Sequence, residues 1–181
     1  MGKLLIGWDE VDITPENPVC LRGQFYARIS EKINDPITST ILVIEAIEEN
    51  KKSEYVIWIS CDLVAIPSEF KNGVIKEIKK IIPEINSERI IINATHTHTA
   101  PECGNDEVMG GAFGEKYKSI EEKVGVKLPC LEPVDYIKFA SEKIAKGIKK
   151  AWDNRKEGGI SYGLGFAVVG RNRRISYYDG T

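Results

Sequence analysis

Apolar residues along this chain fall into short runs of β type, interrupted by two longer stretches with helical spacing. Residues 3–8 predict a first strand, which gives way to the turn-prone Asp12-Ile13-Thr14-Pro15-Glu16-Asn17-Pro18. Residues 38–47, rich in Ile, Val and Thr, predict a long second strand. The polar loop Glu48-Glu49-Asn50-Lys51-Lys52 then turns the chain into a third, residues 55–61. So short a connection predicts antiparallel neighbours. The third run is almost continuously apolar, which predicts a central strand covered on both faces.

Pro67 opens a predicted helix at its first position, where a missing N–H costs nothing. Phe70, Val74, Ile75, Ile78, Ile81 and Ile82 follow at helical spacing, and Pro83 stops the pattern. Residues 89–93 predict a short buried strand. Reached through a helical crossover, it should lie parallel to residues 55–61, with a right-handed connection. A second helix is predicted over residues 133–152, burying Val134, Ile137, Ala140, Ile144, Ile148 and Trp152, and residues 160–169 and 174–178 predict two more strands. From 102 to 131 the pattern dissolves around Gly104, Gly110, Gly111, Gly114 and Gly125, as expected of a lid or insertion loop. The fold class is α/β: one domain over residues 1–181, with a mixed β-sheet and helices packed against it.

Composition narrows the function. Of the 181 residues, 42% are apolar and 29% charged, with a formal net charge of -2. That balance suits a soluble globular protein and excludes a strong electrostatic attraction to nucleic acid. No apolar run is long enough to span a bilayer. Leu4-Leu5-Ile6-Gly7-Trp8 meets Asp9 and Glu10 too early for a secretory signal, so a cytoplasmic location is expected. Cys20, Cys61, Cys103 and Cys130 form no Cys-x-x-Cys pair, which disfavours a structural zinc knot. Cys61 reads as a small core residue, whereas Cys103 lies beside the histidines and a weak ligand role stays open.

The chain's two histidines, His96 and His98, both stand in Asn93-Ala94-Thr95-His96-Thr97-His98-Thr99-Ala100-Pro101, after a predicted buried strand. The carboxyl ends of strands are where open α/β sheets place their ligand sites. In extended backbone, residues two apart project to the same side. Two imidazoles could therefore meet one metal ion, or one could ligate while the other hydrogen-bonds a substrate. Two polar residues in a Thr-rich surface loop would look the same. A zinc protease helix would need histidines four apart, which this segment does not offer.

Thr95-His96-Thr97-His98-Thr99-Ala100-Pro101 resembles the Thr-His-Thr-His-Ser-Gly-Pro signature of the neutral/alkaline ceramidase family. Ile6-Gly7 with Asp12-Ile13-Thr14-Pro15, Asn34-Asp35-Pro36, Ser60-Cys61-Asp62-Leu63 and Gly170-Arg171-Asn172-Arg173-Arg174 resemble further landmarks of that family, in the same order. The resemblance implies a zinc-dependent hydrolase that cleaves an amide (N-acyl) bond with metal-activated water. It implies His96 as a zinc ligand, His98 and Arg173 as catalytic groups that assist substrate or transition-state binding, and Gly23 and Asn34 as substrate-binding positions. The family often has His where this chain has Asn34. Asp62, at a strand end in the same sheet, is expected to support the site from behind instead of ligating. Without the family, Arg171, Arg173 and Arg174 read as a solvated strand end, and Asp12 as the cap of its own turn.

The family's other zinc ligands, a histidine, a glutamate and a tyrosine, come much later in its sequence, and this chain has no third histidine. The expectation is thus an amino-terminal, incomplete half of a larger catalytic domain. Its substrate would be a small-molecule or lipid-like N-acyl compound, and a homo-oligomer is left open. Two other readings compete: a non-catalytic or truncated ceramidase-like binding domain, and a metal-dependent esterase or deacetylase using the same water.

Overall fold

The computed structural model describes residues 2–23, 26–49, 53–104, 120–170 and 177–178. Five strands, β1 (Lys3–Asp12), β2 (Thr38–Ile47), β3 (Glu54–Cys61), β4 (Ile90–Ala94) and β5 (Lys156–Gly158), form one sheet in the order β4-β3-β2-β1-β5. β1 pairs antiparallel with β2 along ten residues, from Lys3↔Ile47 to Asp12↔Thr38. β2–β3 and β1–β5 are also antiparallel, and β3–β4 is the parallel pair that the helical crossover predicts. The sheet is mixed and the class is α/β, as the hydrophobic pattern implies.

Helices α1 (Ser68–Ile81) and α3 (Pro133–Asp153) pack together against one face of the sheet. Ile41, Val43, Ile57, Ile59 and Cys61 point into that layer and are completely buried. Phe70, Val74 and Ile78 meet them from α1; Tyr136, Ala140, Ile144, Ile148 and Ala151 do so from α3. Each such large apolar side chain contributes about 1.5–3 kcal/mol relative to exposure. The last turn of α3 lies almost on β1. A Cβ on Gly7 would stand 2.1 Å from the Ala151 carbonyl oxygen, so only glycine fits there. A five-residue helix, α2 (Ile120–Val124), and a 3-10 turn, Ser87–Arg89, complete the described elements. None of the described helices is long and apolar enough to cross a membrane.

Several expectations are corrected. β1 runs four residues further, to Asp12, because β2 offers it partners throughout. Pro67 caps α1 from just outside, in extended conformation, instead of being its first residue. Val134 and Ile81, placed on buried faces by spacing, are exposed in terminal turns. β3 is not covered on both faces, since Trp58 is 51% exposed and the buried positions alternate. Residues 160–169 form no strand; the chain pairs earlier, at β5, and then leaves the edge of β1 with Tyr162, Leu164 and Phe166 in solvent. Of the expected strand over 174–178 only Tyr177 and Tyr178 are described, and residues 105–119 of the 102–131 loop lie outside the described part. The flanks of that loop are packed: Cys103 and Ile120 are buried, and Leu131 bridges Val19.

Candidate functional site

Because β3 and β4 run parallel, their carboxyl ends leave the sheet side by side. The segments that follow stay stitched together: Thr95 N–H donates to the Cys61 carbonyl and His96 N–H to that of Leu63, each at 2.9 Å. Immediately after β4 the backbone turns sharply. His96 has φ +66°, the one non-glycine residue in the left-handed region among those described. Such a conformation is uncommon for a residue with a Cβ and marks a place where surroundings impose the geometry. The two histidines therefore converge through a turn, not through the extended backbone that their spacing suggests.

Their rings are held by backbone carbonyls. His96 Nδ1 lies 2.7 Å from the Val64 oxygen and His98 Nδ1 lies 2.9 Å from the Gly23 oxygen. A carbonyl only accepts, so each Nδ1 carries the hydrogen and each Nε2 is left with its lone pair in the neutral ring. The two Nε2 atoms face one another at 3.4 Å, with ring planes 77° apart. Two lone pairs facing one another in this way can be shared by a cation. Two imidazole nitrogens each about 2.0–2.1 Å from a tetrahedral zinc lie about 3.3–3.4 Å apart, so the pair fits a shared divalent ion. Among the described residues no group of three His, Cys, Asp or Glu side chains could complete such a site.

A segment of which the sequence singled out only Gly23, residues 19–23 and 26–30 among those described, closes over the motif. Leu21 bridges Pro101 and Cys20 bridges Ile29; Arg22 N–H donates to the Ala100 carbonyl at 3.0 Å, and Glu102 N–H to that of Cys20 at 2.8 Å. Arg22 also forms an ion pair with Glu102, both side chains largely sheltered. Arg28 reaches the motif directly, its Nη2 donating to the His98 carbonyl at 2.7 Å. Nothing in the sequence singled out Arg28, since one arginine in a loop carries no signal of its partner.

Asp62 lies behind the motif. Its carboxylate accepts from Thr38 N–H at 2.9 Å, Thr38 Oγ1 at 3.1 Å and Thr95 Oγ1 at 3.1 Å, joining the start of β2 to the end of β4. A cavity of about 730 Å³ opens next to the motif on the side of Thr97 and Thr99; its walls also include Val19, Arg28, Asn34 and Asp62, but neither histidine. Asn34 sits on its rim and donates to Asp35 at 2.6 Å. Gly23 approaches His98 through its carbonyl. Arg173 lies outside the described residues.

The cysteines stand apart from this chemistry. Burial pushes the Cys61 thiol up to about 11, partly offset by its contact with Ser39 Oγ at 3.3 Å, which leaves it neutral and inert. Cys103 is buried and its Sγ points at the Ala65 carbonyl, 3.6 Å away. Burial also raises the Tyr136 hydroxyl well above its ordinary value, and it donates to the Ile13 carbonyl at 3.2 Å.

No protein-family model matches the chain, and no curated protein matches it in sequence. Solved structures do. Neutral ceramidase from Pseudomonas aeruginosa superposes with a TM-score of 0.61 at 17% identity, over 86% of this chain and 22% of that one. A ceramidase complexed with C2 gives 0.59 at 18% identity, again over 86% and 22%. The chain has a ceramidase-like fold. It spans about one fifth of the length of the ceramidases it resembles.

Proposed function

We propose that this chain is the histidine-bearing part of a zinc-dependent hydrolase that cleaves N-acyl amides, of ceramidase kind. The observation that carries this reading is the pair of Nε2 lone pairs converging at 3.4 Å. His96 would hold the metal, anchored through its Nδ1–H on Val64. Zinc supplies, when bound, a hydroxide at neutral pH and a Lewis acid toward a carbonyl. Around it the chain's own residues divide the work. His98 stands next to the reacting carbonyl, and Arg173, from the later segment, binds the polar head or the developing oxyanion; such donors contribute about 3 kcal/mol each. Asn34 and Gly23 line the approach of the substrate, and Asp62 keeps Thr38 and Thr95 in register behind the motif. The cavity volume falls within the usual range for small ligands, about 300–1,000 Å³, and suits a lipid-like N-acyl compound.

A second reading, a ceramidase-like binding domain without turnover, is favoured by one observation: no third metal-ligating side chain stands near the histidines among the described residues. Equilibrium dialysis against zinc, followed by elemental analysis, tests the first reading. Wild-type protein should bind zinc, and His96→Ala should bind it at least tenfold more weakly. Equal zinc retention by the two proteins would remove the proposal.

A further inference from the structure

We infer that Gly23 and Arg28 are positioning residues that fix the tautomer and orientation of His98, so that in its neutral form this ring offers an acceptor, not a donor, toward His96. The inference deepens the proposed function and rests on that reading for its catalytic meaning, but the geometry that carries it contains no metal.

Three contacts define the clamp. The Gly23 carbonyl takes the proton-bearing Nδ1 of His98 at 2.9 Å. The Gly23 backbone has φ +96°, a region open to glycine and strained for other residues. A Cβ there would lie 2.5 Å from His98 Nδ1 and 2.6 Å from its Cγ, so a side chain at position 23 and this ring position exclude each other. From the other side, Arg28 Nη2 holds the carbonyl of His98 itself at 2.7 Å. The two holders are tied to each other, since Leu21 N–H donates to the Arg28 carbonyl at 2.7 Å and Ser30 N–H to the Val19 carbonyl at 2.9 Å. One short segment thus grips both the ring and the backbone of His98. His96 is anchored independently, on Val64.

The chemical consequence concerns which atom His98 presents. A neutral imidazole has one donor and one acceptor nitrogen, and the partner of one decides the role of the other. With Nδ1–H committed to Gly23, His98 presents the lone pair of Nε2 toward His96. Gly23 is then needed for the ring it seats, whatever its own N–H does to a substrate.

The chain's two histidines make the test direct. Long-range 1H–15N correlation spectra of metal-free protein labelled at histidine report which ring nitrogen carries the proton. Wild type should show the Nδ1–H form for both rings. Gly23→Ala should shift His98 toward the mixture that an unrestrained imidazole adopts and leave His96 unchanged. Arg28→Met, which introduces no clash, should do the same to a smaller extent, and Arg28→Lys should restore the wild-type pattern in part. The inference is overturned if His98 carries its proton on Nε2 in wild type, or if Arg28→Met leaves its signals unaltered. Because the readout needs neither zinc nor turnover, loss of the hydrolase reading would leave these spectra as expected, and loss of the clamp would leave zinc retention by His96 intact.

Discussion

The two faces of the sheet are built from similar side chains and meet opposite fates. On the helix side, Ile41, Val43, Ile57, Ile59 and Cys61 are wholly buried. On the other side, Trp8, Leu42, Trp58 and Ile91 stand in one cross-strand row over four strands, and Trp8, Trp58 and Ile91 are 72%, 51% and 46% exposed. Apolar character in a strand therefore reports that a face avoids water somewhere; it does not report which face the chain itself covers. Burial stabilises only where α1 and α3 lie.

That difference can be broken from either side. The largest effect is expected on the covered face, where Ile59→Ala leaves a cavity between β3 and the helices. It should cost about 3–4 kcal/mol, read as a fall in the denaturation midpoint at unchanged slope. A smaller effect tests the dryness of the same face through Cys61. Its thiol ionises near 9 when exposed but is held protonated to about 11 in the fold, so the unfolded chain releases the proton first. Stability should accordingly be intact below pH 9 and decline as pH rises from 9 toward 11, by on the order of 2 kcal/mol. Cys61→Val should flatten that alkaline slope; an unchanged slope would mean that water reaches the layer. The smallest effect on stability is expected on the open face. Trp58→Lys should shift it by less than about 1 kcal/mol while lowering the binding of a hydrophobic dye. A loss as large as that of Ile59→Ala would erase the contrast between the faces.

Long apolar runs were the legible part of the fold. β2, β3, α1 and α3 follow from spacing and punctuation, because tertiary contacts there reinforce local pattern. The start of α1 after Pro67 and the depth of burial misled: β3 carries apolar residues on both sides, and its pattern is the same whether one face or two are covered. β5 was invisible because Lys156, Glu157 and Gly158 have no strand character, and their pairing with Leu4–Ile6 runs through the backbone. The histidine motif announced itself by spacing, and Asp62 by its strand end. The route by which the rings meet did not, since a left-handed turn at a histidine has no compositional mark. Gly23 was visible as a glycine, yet its contact with His98 spans 75 residues of sequence and Arg28's spans 70. Pairings at that distance are set by topology, which local pattern does not encode.

The twist at position 96 also has a bearing on how such a chain drifts over generations. A backbone in the left-handed basin costs an L-residue about 1 kcal/mol or more, and glycine would stand there with no such penalty. The bond from its ring to the Val64 carbonyl offsets that cost, so drift to glycine at position 96 would exchange a relaxed backbone for a lost anchor.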